Sequence, residues 1–245
     1  MSNLEVIIYE KRYDIGYITL NRPQFLNAYN IQMRDELYQV LSAIKDDHEV
    51  KVVIFKGAGE RAFCSGADLT EFLSSSSPVM ARQARWERDV WGAFLGIEKP
   101  LIAALHGYVL GSGIEIALCC DIRLASEDTQ FGLPEVGLGI IPAAGATQTL
   151  PRMIGGAKAL EMLLTGRRIK AEEAHRLQLV NQVVSRRDLL PLAESLANRI
   201  KGYNPIAVTC AKEAIIRGLD LTLGQGLELE TKFGDYLLAS LFDRG

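Results

Sequence analysis

The sequence predicts an α/β protein whose strands are covered by helices and whose last third is helical. Three observations predict it. Short apolar runs such as Lys51–Phe55 and Leu101–His106 alternate with segments of helical spacing, the pattern of strands buried on both faces. The alternation fades after about Gly155, and the segments beyond it are mostly helical. The chain has 245 residues, 48% of them hydrophobic, which suffices for a sizeable core in one large domain or a domain plus an appendage.

The elements follow in order. "EVIIYEKRYDIGYITLN" reads as two strands, near Val6–Tyr9 and Gly16–Asn21, joined by a turn near Asp14. In Met33–Asp47 the apolar residues Met33, Leu37, Val40, Leu41 and Ile44 fall at helical spacing. Lys51–Phe55 is a buried strand ending at Gly57 and Gly59. The polar run Ser74–Ser77 leads into a helix near Val79–Gly96. Leu101–His106 and "DIRLAS" are two more strands. Five helical segments then run from "GGAKALEMLLTG" to "GQGLELETKFGDYLLASLF". In one of them the stripe Ile206, Cys210, Ala214 leaves Lys212 and Glu213 outside it, as ordinary amphipathicity requires.

Composition removes several function classes. The formal net charge of −3 and pI near 5.7 argue against a nucleic-acid face. No apolar run approaches membrane-spanning length, and the N-terminus lacks the pattern of a signal peptide. The four cysteines, Cys64, Cys119, Cys120 and Cys210, suit neither a disulfide framework nor zinc, and His48, His106 and His175 form no metal cluster. A cytoplasmic protein without membrane or nucleic-acid partners is expected.

Chemistry points to four short elements. "AFCSGAD" follows a strand, and "GSGIEIALCCD" follows Leu101–His106. "FGLPE" and "GIIPAAGATQTL" come after them. Small residues between a strand and a helix leave backbone N–H groups free at a helix N-terminus. Two such loops at one sheet edge would make a two-donor oxyanion hole; a lone G-x-G reads first as a tight turn with no ligand. Glu115 and Glu135 are carboxylates in apolar surroundings, which is costly unless they are paired, hydrogen-bonded or protonated. A helix-dipole partner or Arg123 would satisfy Glu115, and a capping role would satisfy Glu135. Together in one dry site, the two would hold a water and exchange protons with a substrate. His106 has no serine elbow near it and reads as structural; Asp121 caps or orients a strand connection.

In order and spacing, "ITLNRPQFLNAYN", "VVIFKGAGERAFCSGADL", the stretch from "KPLIAALHGYVLGSGIEIALCCD" to "TLPRMIG", and "AEEAHRLQLVNQVV" resemble the enoyl-CoA hydratase/isomerase (crotonase) superfamily over nearly the whole chain. The resemblance implies a crotonase-like spiral of ββα units in residues 1–190. It implies a C-terminal helical trimerisation region in residues 191–245, within a homotrimer or homohexamer. It further implies an acyl-CoA thioester substrate. The oxyanion donors would be the backbone N–H groups of Ala67 and Ser112, where the family often has glycine at the second position. Gln24, Leu26, Ser65, Asp68, Leu69 and Thr70 would line the acyl-CoA site. Hydratases of the family carry glutamates at the positions of both Glu115 and Glu135, and many other members lack one or both. The implied reaction is hydration of a trans-2-enoyl-CoA, with Glu115 activating water and Glu135 protonating C2. No metal or other cofactor is implied; coenzyme A belongs to the substrate. One departure is Pro142-Ala143-Ala144-Gly145-Ala146, where the family often has Pro-Gly-Ala-Gly-Gly; the added methyls would narrow the pocket.

Two other enzymatic readings stay open: a Δ3,Δ2-enoyl-CoA isomerase and a dehydratase of a specialised hydroxyacyl-CoA such as a carnitinyl thioester. An RNA-binding relative would need a basic helix. Met33–Asp47 carries only Arg34 and Lys45 against Asp35, Glu36, Asp46 and Asp47.

Overall fold

The computed structural model describes residues 4–72 and 88–242. The expected Ser74–Ser77 run and the first half of the Val79–Gly96 helix lie outside them. A six-stranded sheet holds β1 (Ile7–Arg12), β2 (Ile15–Leu20), β3 (Val52–Gly57), β5 (Leu101–Leu105), β7 (Ile122–Ser126) and β10 (Gln182–Val184), in the order β1-β2-β3-β5-β7-β10. A four-stranded sheet holds β4 (Ala62–Cys64), β6 (Tyr108–Leu110), β8 (Gln130–Gly132) and β9 (Ile169–Lys170), in the order β4-β6-β8-β9. Successive strands alternate between the sheets: β3 leads to β4, β5 to β6, and β7 to β8. After β6 comes α4 (Ser112–Leu118), and after β8 the short 3-10 turn Glu135–Leu138 and α5 (Ala146–Ile154). This is a spiral of ββα turns.

The central strands β2, β3, β5 and β7 of the larger sheet are buried on both faces, and the period-2 alternation of a strand sorts their side chains. Ile18, Leu20, Val53, Phe55, Ala103 and Leu105 face a core shared with α1 (Ile31–Asp46) and the second sheet. Their neighbours Tyr17, Val52, Ile54, Ile102 and Leu124 face the other way, onto Leu189, Ala193 and Ala197 of α8 (Arg186–Lys201). The expected division between residues 190 and 191 falls within α8. The β1–β2 hairpin closes through Tyr13 and Asp14, whose φ values of 48° and 68° give the left-handed pair that a two-residue hairpin demands.

The remaining helices among the described residues are α2 (Leu69–Phe72), α3 (Val90–Leu95), α6 (Gly156–Thr165), α7 (Ala171–Arg176), α9 (Pro205–Gly218) and α10 (Leu223–Phe242). Two details go beyond the sequence reading. The stretch after Gly155 also holds β9 and β10, strands of two and three residues that are too short for an alternation signal. Lys212 does not lie on a solvent face: its side chain is 11% exposed and bonded into the body of the protein.

Candidate active site

The parallel strands β4, β6 and β8 run side by side, so their carboxyl ends share one edge. The loop 65–68, the Gly111–Ser112 turn and Leu133–Glu135 leave from that edge. In an open parallel sheet, this is where the chain creates a crevice.

Ala67 is placed by a bridge to Tyr29. Tyr29 N donates to Gly66 O at 2.8 Å, and Asp68 N donates to Tyr29 O at 2.8 Å. Both bonds flank Ala67, whose own N–H therefore points away from that strand. Ser112 is the first residue of α4, so its N–H has no partner within the helix. The loops that carry the two amides touch. A Cβ built on Gly66 would lie 3.3 Å from Leu110 O and 3.7 Å from Gly111 Cα.

Both glutamates join this junction. A Cβ on Gly111 would sit 2.7 Å from Glu135 Oε1, so the carboxylate rests against the turn that presents Ser112. Glu135 Oε2 is buried and has no hydrogen-bond partner among the described residues. Burial pushes the Glu135 carboxyl above its ordinary pKa; its own backbone N–H opposes this, and the charge of Glu115 adds to it. Glu115 is 3% exposed and lies one turn into α4. Its Oε1 accepts from Ala144 N at 2.7 Å and Ala146 N at 3.4 Å, at the N-terminus of α5, where backbone donors and the helix dipole favour a negative carboxylate. Arg123 is engaged elsewhere: its guanidinium donates to Leu179 O and Cys120 O. The pair is thus asymmetric. Glu115 Oε1 is cradled by backbone amides, while Glu135 Oε2 has no hydrogen-bond partner among the described residues and its carboxyl pKa is raised.

The remaining expected residues form a rim. Gln24 is exposed on the 3-10 turn Pro23–Phe25. Leu26 has a left-handed φ of 54°, and its carbonyl accepts from Ser65 N at 3.1 Å, which clamps the two loops together. The Asp68 carboxylate accepts from Thr70 Oγ1 at 2.7 Å and from Arg22 Nη1 at 3.0 Å, and these bonds hold its pKa below the usual carboxylate range. Leu69 is 47% exposed, and Thr70 is exposed beside it. Two further residues fasten this rim. Arg22 also donates to Ala28 O, and the fully buried Asn27 side chain donates to Ala58 O and Ala62 O. Nothing in local spacing marks these roles, because Asp68, Ala58 and Ala62 are distant in the chain.

His106 lies at the opposite ends of these strands and is 4% exposed. Burial, aided by Arg186, lowers its pKa from 6.5 to about 4. The folded state therefore takes up this proton less readily than the unfolded chain. The resulting stability is complete above pH 6.5 and is lost as the pH falls toward 4. At about 1.4 kcal/mol per pH unit, roughly 3 kcal/mol is at stake. Urea midpoints measured at pH 7 and pH 4.5 should fall less for His106→Asn than for wild type.

Among the described residues no group of three or more His, Cys, Asp and Glu side chains is disposed to hold a metal ion. No described helix is long and apolar enough to cross a membrane.

Comparison with known proteins gives a consistent picture. The family model for enoyl-CoA hydratase/isomerase matches residues 10–241. A short-chain-enoyl-CoA hydratase of Clostridium acetobutylicum is 41% identical over 95% of this chain and 89% of its own length. A crotonyl-CoA hydratase of Syntrophomonas wolfei is 38% identical over 92% of this chain and 87% of its own. The crystal structure of an enoyl-CoA hydratase from Bacillus anthracis superposes with a TM-score of 0.91 at 38% identity, covering 96% of this chain and 92% of that one.

Proposed function

The chain belongs to the enoyl-CoA hydratase/isomerase family, and from that premise we propose that it is a hydro-lyase adding water reversibly across the double bond of a trans-2-enoyl-CoA. The observation that carries the reading is the asymmetric pair of glutamates beside two outward-facing backbone amides.

The thioester oxygen accepts hydrogen bonds from Ala67 N and Ser112 N. As water adds at C3, the electron pair of the C2–C3 bond moves toward C2 and the thioester oxygen becomes an enolate. Donors fixed on a rigid loop and a helix N-terminus stabilise that charge without reorganising; losing one such donor costs about 3–4 kcal/mol. Glu115, in its amide cradle, takes a proton from the attacking water. Glu135, whose pKa burial raises, delivers its proton to C2. Proton exchange with solvent resets the pair. Gln24, Leu26, Ser65, Asp68, Leu69 and Thr70 form the rim over which the coenzyme A portion lies. The reaction needs no metal or redox cofactor. The added methyls of Ala143 and Ala146 narrow the water side of the pocket.

We also assign a homotrimer or a dimer of trimers. The exposed apolar side chains of the C-terminal helices, such as Leu219 at 75% and Leu223 at 80%, support it. The free cysteines fit a reducing cytoplasm. Crotonyl-CoA should lose its conjugated-enoyl absorbance on addition of the protein; no loss at micromolar enzyme would overturn the hydratase reading.

A further inference from the structure

Lys212 is a largely buried cation that the proposed chemistry does not use. Its Nζ meets Ile97 O at 2.8 Å, Lys99 O at 2.9 Å and Asp121 Oδ2 at 2.9 Å. An ammonium has three N–H donors, so all three are engaged. The Asp121 carboxylate also accepts from Leu101 N at 2.7 Å, and Asp121 N donates to Leu101 O at 2.9 Å. Asp121 directly follows the cysteine pair that ends α4, the helix that starts at Ser112 and carries Glu115. One ion pair therefore joins α9 to the far end of the helix that presents both an oxyanion donor and a proton-handling carboxylate.

The hold of the C-terminal hairpin on the body is otherwise slight. Cys210 is the buried residue of α9, and α9 packs chiefly on α10. A second ion pair, Arg152–Asp220, is exposed and 3.6 Å long, a class that contributes little. Lys212 is different: taking a lysine this far from water is unfavourable unless every donor is satisfied, so the arrangement is strongly specified.

We propose that Lys212 is a positioning residue: through Asp121 it ties the placement of α4, and with it the Ser112 amide and Glu115, to the docking of the C-terminal helices. The inference rests on the hydratase reading of that site. If α4 shifts by a fraction of an ångström, the amide no longer meets the thioester oxygen in the transition state, whereas the rim that binds coenzyme A is untouched.

The test compares wild type, Lys212→Met and Asp121→Asn. The asparagine keeps the acceptor for Leu101 N and loses the charge. Three readouts are taken: kcat and KM with crotonyl-CoA, oligomeric state by sedimentation, and the absorption maximum of a bound enoyl-CoA carrying an aromatic electron donor. That maximum moves to longer wavelength as the carbonyl is polarised. Lys212→Met should lower kcat about 10–100-fold with KM near wild type, and should reduce the red shift. Asp121→Asn should move in the same direction, and it carries the test alone if the methionine variant does not fold. A lower Tm with wild-type kcat and red shift would assign Lys212 a purely structural role and overturn the inference. Absence of turnover in the wild type itself would instead overturn the hydratase reading on which it rests.

Discussion

Glu135→Gln is expected to lower kcat on the order of 10²–10⁴-fold, the contribution typical of a positioned acid or base, while Tm stays near wild type. The substitution is nearly isosteric. Glu135 Oε2 has no hydrogen-bond partner among the described residues, so the amide breaks no bond there. What it removes is the transferable proton. Burial and the neighbouring Glu115 charge both raise the Glu135 pKa, so the wild-type acid is protonated below that value. In the hydration direction, wild-type kcat should therefore decline as pH rises through it, and the variant should lack that limb. Steady-state kinetics across pH checks both statements. Near-normal turnover by the glutamine variant would remove Glu135 from the mechanism.

Gly111→Ala is expected to lose activity to a comparable extent without replacing a reacting group. Gly111 has φ 49° and ψ −121°, a conformation that side chains rarely adopt, and its replacement costs about 1–3 kcal/mol in backbone strain. The new methyl would also sit 2.7 Å from Glu135 Oε1, so either the carboxylate or the Ser112 turn must move. For a chain of this size the strain should lower Tm by roughly 2–10 °C. The kinetic loss is the sharper signature. Because both substitutions act on the same carboxylate, the double variant should fall little below the worse single one, and additive losses would contradict the shared mechanism.

How much of this was legible beforehand differs from feature to feature. The long strands β2, β3, β5 and β7 were readable because both faces are buried, which makes Val52–Phe55 and Leu101–Leu105 continuous apolar runs. The second sheet was not readable from residue patterns, since β4, β6 and β8 have three residues each and show no periodicity; only the family resemblance implied it. Glu115 and Glu135 stood out as charges in apolar surroundings. Their meeting depends on strand register between β6 and β8, a long-range property that no local window contains. The cradle of Ala144 and Ala146 amides was partly foreseeable from the small residues after Pro142. The burial of Lys212 was not legible, for a definite reason. Helical periodicity reports which face of one helix is apolar, but a long lysine can cross that boundary to reach Asp121 when the partner is supplied by distant chain.

The central claim is that one site delivers hydroxide to C3 and a proton to C2 of an enoyl thioester. Incubating crotonyl-CoA with the protein in D₂O and locating the deuterium in the product by NMR tests it most directly. The expected product is a 3-hydroxyacyl-CoA with a single deuteron at C2, formed as the enoyl absorbance disappears. Deuterium at C4 with no oxygen added at C3, or unchanged crotonyl-CoA, would contradict it.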